Sequence, residues 1–436
     1  MSYNDKLITI KDALNLVKSN DMIVTGLGAA EAQLFMNNLH TIAQRVENVT
    51  ITNCLPMSNG DFLKEEYKRS FNVDGWFYSG PIRKAQTNGN ISFIPNHLHL
   101  TGVRRLAHVK PNIYVGSAAM PDKHGYISLS LSNTYERRMI DEADIVILEI
   151  NPNYPRTFGD VEIHYTEIDY LVKAEYDVPT LKDVLPCEKD LIIGKYIGDM
   201  IKDGDCLQLG IGGIPNAVAA ALKDKKDLGI HTEMMTSGML ELVKQGVVNG
   251  SRKTLHKGKI VCTFALGNKQ LYEFLDDNPS VLMMDAFYVN NPDTIAKNDN
   301  MVSINTTIEV DLTGQCCSES IGPMQFSGTG GQVDTAVGAQ KSKNGHSFIT
   351  LYSTAMVKNK ETGVREEVSK IVSMLKRGAI VTLSRNDVDY VVTEYGVASL
   401  RGTNIRERVA RLIEIAHPKF REELRAQALL IGLIYE

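Results

Sequence analysis

The 436-residue sequence lacks the features that would place it quickly in several classes of protein. No apolar run approaches the ~20 residues that a membrane span needs, and the most apolar tail, residues 428–435, is far shorter. The first residues, Met1–Lys6, do not have the charged-then-apolar layout of a signal peptide. The net charge of −5 and the lack of basic runs interleaved with aromatic residues give no reason to expect a nucleic-acid partner. We therefore expect a protein that binds neither nucleic acid nor membrane.

Cysteine motifs and one common catalytic motif are also missing. None of the six cysteines has Cys-x-x-Cys spacing, so reduced thiols in the cytoplasm are expected rather than disulfides or zinc. There is no Gly-x-Ser-x-Gly motif, which disfavours a serine hydrolase. His97 and His99 would point the same way on a strand and could bind a metal, but no third ligand has suitable spacing. We interpret them as solvated or core histidines and predict no metal site.

The sequence does contain an internal repeat. Residues 10–35 read as helix, strand, Gly turn and helix, and the same order returns 184 residues later, with Lys18 falling on Lys202. The other matches are Asp21 with Asp205, Gly26 with Gly210 and Gly28 with Gly212. Since the length also favours two or three domains, we predict two similar α/β domains, residues 1–186 and 187–436. The Pro- and charge-rich segment 175–190 is the predicted linker.

Alternating strand and helix signals predict an open, mostly parallel α/β sheet. Predicted strands lie at residues 48–53, 91–94, 111–115 and 144–150, and then at 230–235, 259–264, 281–284, 302–304, 379–383 and 390–393. Predicted helices of the second domain lie at 216–225, 240–246, 268–276 and 404–416.

The Gly-rich turn of the second domain is a candidate ligand site. Its backbone, Gly210-Ile211-Gly212-Gly213-Ile214-Pro215, lets a phosphate-bearing or bulky ligand come close. The turn resembles a dinucleotide fingerprint, but neither Pro215 nor Asn216 supplies the third glycine. The N-terminus of the helix that follows can favour an anion such as a pyrophosphate. A tight strand-to-helix turn without a ligand is the alternative.

Glu233 is the strongest candidate for a chemical role. It lies in Gly229–Gly238, where an apolar strand should end and a Gly/Ser turn begins, and ligands meet catalytic groups at such strand ends. A carboxylate can attack an activated acyl group as a nucleophile. The alternative is a strand-end ion pair. His231, on the same strand face, could tune the pKa of Glu233 or simply pack, and we interpret Asp334 and Arg385 as structural ion-pairing residues.

Motifs along nearly the whole chain closely resemble those of the acetyl-CoA hydrolase/transferase family, and within it the 4-hydroxybutyrate or butyrate CoA-transferases. The stretches that carry the resemblance are MPDKHGYISLSLS (120–132), EINPNYPRTFGD (149–160), LQLGIGGIPNAV (207–218), GIHTEMMTSG (229–238), FSGTGGQVD (326–334) and SRNDVDYVVTEYGVASLRG (384–402). An Asn-His-Pro motif of relatives stands here as Asn290-Asn291-Pro292, and Thr335 replaces a usual aromatic residue.

This resemblance implies two open α/β domains of the CoA-transferase (NagB/RpiA-like) type, with the active site between them. It implies ping-pong transfer of CoA between acyl-CoA and short-chain carboxylic acids through a thioester on Glu233. Coenzyme A would be a co-substrate, and no permanently bound cofactor is expected. Backbone contacts to CoA are expected at Gly210, Ile211, Gly212, Gly213, Ile214, Ile308 and Gly331.

Thioester exchange passes through tetrahedral intermediates, so a donor must face the oxygen on which charge builds. Asn290, through its amide, and Gly331, through its backbone N–H, are the candidates, with a loop cap and a plain turn as the alternatives. We expect a homodimer. Two rival functions remain open: an acyl-CoA hydrolase on the same fold, and a non-catalytic sensor of acyl-CoA or a sugar phosphate.

Overall fold

The computed structural model describes residues 3–358 and 362–435, and its first half is built around one sheet of eight parallel strands. The strands of this half are β1 (Leu7–Ile8), β2 (Met22–Thr25), β3 (Val49–Cys54), β4 (Phe71–Phe77), β5 (Ile91–Phe93), β6 (Ile113–Ala118), β7 (Tyr126–Ser128), β8 (Ile145–Ile150), β9 (Phe158–Gly159), β10 (Glu162–His164) and β11 (Tyr170–Lys173). The sheet runs in the order β1-β11-β8-β6-β2-β3-β4-β5. Its central strands are buried along their length, as strands covered on both faces are.

The helices of the first half are short. They are α1 (Ile10–Asn15), α2 (Gln33–Asn38), α3 (Gly80–Ala85), α4 (Thr101–His108) and α5 (Glu136–Glu142). The first begins at a capping box in which Thr9 and Asp12 satisfy each other's backbone N–H groups. Single turns of 3₁₀ helix lie at Gly28–Ala30 and Leu98–Leu100.

The second half has a six-stranded sheet with several small sheets around it. Its strands are β12 (Cys206–Leu209), β13 (Gly229–Ile230), β14 (Met234–Met235), β15 (Ile260–Cys262), β16 (Phe264–Ala265), β17 (Val281–Met283), β18 (Met301–Thr306), β19 (Glu309–Asp311), β20 (Cys316–Cys317), β21 (Ser320–Ile321), β22 (Met324–Gln325), β23 (His346–Thr350), β24 (Thr354–Lys358), β25 (Arg365–Ser369), β26 (Ile371–Val372), β27 (Tyr390–Thr393) and β28 (Gly396–Ser399). The sheet order is β13-β12-β18-β23-β27-β28, and only its last pair is antiparallel.

The second half contains the longest helix within the described residues, and it has nine helices in these ranges. They are α6 (Glu188–Met200), α7 (Gly213–Ala221), α8 (Ser237–Lys244), α9 (Lys269–Leu275), α10 (Ala286–Val289), α11 (Pro292–Ile295), α12 (Gln332–Lys341), α13 (Ile405–Glu414) and α14 (Arg421–Leu430). On α13 the buried apolar residues Val409, Leu412 and Ile413 share one face, as predicted from their spacing.

The two sheets follow the same strand order. In the first, β3-β2-β6-β8-β11 are neighbours in that order, and in the second β13-β12-β18-β23-β27 are. Gly26 therefore follows β2 in the same place as Gly210 follows β12. This agreement supports the proposal of two similar domains, while the boundary at residue 186 stays a prediction.

The two halves are joined by more than their linker. Strand β9 of the first half pairs with β17 of the second, in one sheet with β15. The Asn133 N–H donates to the Thr263 carbonyl at 2.8 Å, and the Ala265 N–H donates to the Leu131 carbonyl at 2.9 Å. One apolar core contains buried residues from both halves, so the contact between them is packed rather than hinged.

Several local predictions were wrong. Residues 379–383 form no strand, because only Leu383 makes a bridge and Ile380 and Val381 are exposed. The predicted strand 230–235 breaks into β13 and β14. His97 and His99 lie at a 3₁₀ turn instead of on a strand. Within the described residues, no helix is both long and apolar enough to cross a membrane.

Candidate active site

The carboxyl ends of the two parallel sheets meet at a cavity of about 240 Å³. This is the edge of a parallel sheet where ligands usually bind. The lining residues are Leu27, Cys54, Leu55, Phe77 and Leu98 from the first half, and Gln208–Ile211, Glu233, Met234, Phe264, Asn305, Thr306, Ser318 and Ser327–Gln332 from the second. The predicted nucleophile therefore lies in the same cavity as Gly210 of the Gly-rich turn and the glycines of the stretch 326–334.

Glu233 occupies the point where the chain passes from one sheet to another. Strand β13 belongs to the six-stranded sheet, whereas β14 pairs with β16. Between them, the Glu233 carbonyl accepts hydrogen bonds from the N–H groups of Thr263 at 2.9 Å and Phe264 at 3.1 Å. These bonds hold the backbone at the break while the side chain, partly exposed, lines the cavity.

Two predicted site residues meet the Glu233 carboxyl. The Asn290 side-chain amide, buried at the end of α10, donates to Oε2 at 3.0 Å. The Gly331 backbone N–H also donates toward this carboxyl. A Cβ added at Gly331 would overlap Oε2, so the position requires glycine for the backbone to come this close. Among the residues that the structure describes, no side chain donates a hydrogen bond to Oε1.

The surroundings of Glu233 raise its pKa to about 7. Burial is the main cause, because it disfavours the charged form. The hydrogen bond from Asn290 acts in the opposite direction, the nearby Asp334 carboxylate raises the pKa further, and the Gly331 N–H lowers it. The carboxyl thus changes charge near neutral pH, where a catalytic group is useful.

The Gly turn after β12 opens onto the same cavity. Gly210 and Ile211 line it, and the Ile211 side chain is 47% exposed. Gly212 has φ of +111°, which favours glycine, and α7 begins at Gly213. A smaller cavity continues over Gly212–Pro215 toward Tyr352. A long ligand can therefore reach Glu233 by passing along this turn.

Ile308 is the predicted contact that the structure places elsewhere. Its N–H donates to the Cys317 carbonyl at 3.0 Å, which ties it to β20. It does not line the cavity around Glu233, although Thr306, two residues earlier, does. The Asp190 carboxylate lies against Gly213, so a negative charge already occupies the space beside the start of α7. An anion at that helix end would have to compete with it.

The histidines and ion-pairing candidates do not line the cavity around Glu233. The His231 side chain is buried, its Nε2 bonds to the Val289 carbonyl at 2.7 Å, and burial lowers its pKa to about 3. It is therefore neutral and packs instead of tuning Glu233. His99 pairs with Asp334, as an ion-pairing role for Asp334 predicts. For Arg385 this prediction was wrong within the described residues, because its side chain makes no ion pair and only its carbonyl is bonded, by Arg408. Across residues 3–358 and 362–435, no cluster of three or more side chains could hold a metal.

Five apolar lining residues of the first half were not predicted. Leu27 lies inside the Gly turn of the first repeat, and Cys54 and Leu55 end β3. Their place at strand ends was a usable signal, since the matching turn of the second half was already a candidate site. Phe77 ends β4, which was not predicted as a strand, and Leu98 lies in a turn, so neither residue gave this signal.

Comparison with known proteins gives consistent matches along the chain. The acetyl-CoA hydrolase/transferase N-terminal domain matches residues 1–181, and the C-terminal domain of the same family matches residues 267–428. A succinyl-CoA:cyclohexane-1-carboxylate CoA transferase of Geobacter metallireducens is 44% identical over 98% of this chain and 95% of its own. A 4-hydroxybutyrate coenzyme A transferase of Clostridium kluyveri is 43% identical over 97% of both chains. The crystal structure of RipA from Yersinia pestis superposes with a TM-score of 0.92 at 35% identity, covering 99% of both chains.

Proposed function

The chain belongs to the acetyl-CoA hydrolase/transferase family, and from this premise we propose that it transfers CoA between short-chain acyl-CoA and carboxylic acids through a thioester on Glu233. The observation that carries the proposal is the Glu233 carboxyl in the cavity, with Oε2 bonded to Asn290 and Oε1 without a side-chain donor among the described residues. One oxygen is held and the other can attack.

The first half-reaction follows from this division of the two oxygens. Oε1 attacks the carbonyl carbon of the acyl-CoA, the C–S bond breaks, and CoA thiolate leaves an acyl–glutamyl anhydride. The thiolate then attacks Cδ of Glu233, the bond from Cδ to the bridging oxygen breaks, and the first acid departs as a carboxylate. The product is a glutamyl-CoA thioester. A second carboxylate reverses these steps and leaves as the new acyl-CoA.

The donors on Oε2 suit the second of these attacks. When the thiolate adds to Cδ, negative charge develops on the glutamyl oxygen that is not bridging, and this is Oε2. The Asn290 amide already lies 3.0 Å from it, and the Gly331 N–H bonds to the same carboxyl. Donors placed before the reaction stabilise such a charge without reorganising, and each is typically worth ~10²–10³ in rate.

The lining of the cavity favours acyl groups without a second charge. Among the lining residues in the described ranges, Glu233 is the only charged one. A dicarboxylate such as succinate would bring a second negative charge among Leu27, Phe77 and Leu98 with no cation to pair it, which costs several kcal/mol. Butyrate, acetate and 4-hydroxybutyrate avoid this cost. We therefore propose monocarboxylates as the substrate class.

An exchange assay separates the proposal from its rivals. The protein is incubated with butyryl-CoA and ¹³C-acetate, and the CoA products and free thiol are measured. Labelled acetyl-CoA is the expected product. Free thiol without labelled acetyl-CoA would indicate a hydrolase, and neither product would indicate a sensor. Succinyl-CoA should be a poor donor in the same assay.

The covalent step is tested by trapping. After incubation with butyryl-CoA, borohydride or hydroxylamine should modify the peptide that contains Glu233, as mass spectrometry would detect. A modified peptide elsewhere, with Glu233 unchanged and exchange intact, would contradict the mechanism.

We also propose that the protein is cytoplasmic and forms a homodimer. All six cysteines are free, as expected in the reducing cytoplasm. A homodimer is the expected assembly, and light scattering coupled to size-exclusion chromatography would measure it.

A further inference from the structure

A turn of the first half touches both elements that carry the donors to Glu233. The turn Leu98–Leu100 packs against α10, which ends at Asn290. The Leu98 N–H also donates to the Gly330 carbonyl at 3.1 Å, one residue before the second donor. The position of this turn therefore affects how closely both donors approach the carboxyl.

His99 fastens this turn to α12 through one buried carboxylate. Its backbone N–H donates to Oδ2 of Asp334 at 3.1 Å, and its ring Nδ1 lies 2.7 Å from Oδ1. The Asp334 side chain is only 2% exposed and that of His99 15%. Because one residue binds both oxygens, the carboxylate of Asp334 cannot rotate without breaking a bond.

The Asp334 carboxylate also has an electrostatic effect on Glu233. Its negative charge favours the protonated form of Glu233 and raises the pKa of that carboxyl. The ionisable side chains that face Glu233 are Asp334 from α12 and the Cys54 thiol from β3. Burial and nearby carboxylates raise the pKa of that thiol, so it stays neutral. Asp334 is thus the charged neighbour, and His99 lies against it.

We propose that His99 and Asp334 are positioning residues for CoA transfer, which hold the turn Leu98–Leu100 against α10 and Gly330 and keep the charge of Asp334 near the Glu233 carboxyl. This inference rests on the function proposed above. It assigns a role in the reaction to two residues that the sequence indicates as structural, His99 as a solvated or core histidine and Asp334 as an ion-pairing residue.

The test is the pH profile of kcat/KM for exchange between butyryl-CoA and acetate. Asp334→Asn removes the negative charge at nearly constant shape, so the acidic limb should move to lower pH by ~1 unit. His99→Ala removes the donor that offsets this charge, so the limb should move to higher pH. In His99→Asn the amide can donate from near the position of Nδ1 and should restore the limb toward its wild-type place.

A matched control comes from a second His–Asp pair, which lies wholly in the second half. His346, which begins β23 at the end of the strand away from the cavity, lies 3.8 Å from the buried Asp389 carboxylate. His346→Ala should leave the acidic limb unchanged. Should Asp334→Asn not fold, the two His99 variants decide alone.

The proposal is wrong if kcat falls in the His99 and Asp334 variants while their acidic limbs coincide with that of wild type. Failure of the proposed function has a different signature, because the wild-type protein itself would then give no trapped adduct on the peptide containing Glu233.

Discussion

The two glycine turns of the repeat share their spacing and both border the cavity, the first through Leu27, but they differ in exposure. In the first, Gly26–Ala30, the backbone is buried and the Glu136 carboxylate accepts the Leu27 N–H at 2.9 Å. In the second, Gly210–Ile214, Ile211 is exposed and the turn borders the cavity. The glycines set the path of the backbone in both. Whether a ligand can reach the turn depends on what the rest of the fold places over it.

Two carboxyls of equal pKa show the same contrast. Burial raises the pKa of both Glu149 and Glu233 to about 7. Glu149 is fully buried and its oxygens accept hydrogen bonds from Leu34, Phe35 and Tyr176, which fix the start of α2. Glu233 keeps one oxygen toward a cavity. A raised pKa alone therefore does not identify the reactive carboxyl, and the oxygen that Glu233 keeps toward the cavity is a necessary second criterion.

The largest effect should come from changing each of these carboxyls to an amide. Glu233→Gln removes the anionic nucleophile at constant size, so exchange should fall by at least ~10³-fold while butyryl-CoA still binds. Glu149→Gln should keep most of the exchange rate per folded molecule and instead lower the free energy of unfolding by ~1–3 kcal/mol. Exchange assays and urea unfolding of both variants measure this. An equal loss of exchange activity in both variants would contradict the different roles given to Glu233 and Glu149.

A second pair of substitutions removes one side-chain hydrogen-bond donor from each of these carboxyls. Asn290→Ala removes a donor from Oε2 of Glu233 and should lower kcat by ~10²–10³-fold with little change in CoA affinity. Tyr176→Phe removes the hydroxyl that donates to Glu149 at 2.7 Å. It should cost ~1–2 kcal/mol of stability and leave kcat near wild type. A kcat that is unchanged in Asn290→Ala would show that its amide is only a loop contact.

Matched alanine substitutions test the turns themselves. A Cβ added at Gly26 would overlap the Ala30 carbonyl oxygen, so Gly26→Ala should lower the free energy of unfolding by ~3 kcal/mol. A Cβ at Gly210 would meet no atom closer than 3.9 Å, so Gly210→Ala should change stability by less than ~0.5 kcal/mol. Its effect should fall on the KM for acyl-CoA. Urea unfolding and initial rates separate the two, and similar destabilisation by both substitutions would contradict the comparison.

The last expected effect is a pH dependence of stability that comes from Glu149. Its pKa is about 7 in the folded chain and ordinarily 4.5, so the folded state keeps a proton that the unfolded chain releases between these values. Its contribution is therefore complete below pH ~4.5, is lost as the pH rises to ~7 and is constant above that. Urea unfolding from pH 5 to 8 should show a fall of ~2 kcal/mol from this group. Glu149→Gln should flatten the slope, and an unchanged slope would assign it to the other buried carboxyls.

Short-range pattern explains what could be predicted from the sequence. The repeat places Gly26 and Gly210 after equivalent strands, and Glu233 is correctly expected near the end of one. The strand predicted at 379–383 fails because its apolar run lies at the surface, with Ile380 and Val381 each 43% exposed. Apolar pattern indicates burial, and here that indication is wrong.

The features that could not be predicted from the sequence depend on packing between segments that are distant in the chain. Phe77 and Leu98 reach the cavity only because the first half lies against the second, and Leu98 is held there by a bond to Gly330. The break of the strand at Glu233 results from competition between two sheets for one segment. Neither contact has a local signature in the sequence, because each joins residues far apart in the chain.

The pairing of β9 with β17 has a consequence for how the protein is made. Phe158–Gly159 leaves the ribosome well before its partner Val281–Met283. Strand β9 therefore stays unpaired until the second half has been synthesised. A gene cut at the linker would separate the same two strands. Its two products would then be obligate partners that complete a sheet on meeting, instead of independently folding modules.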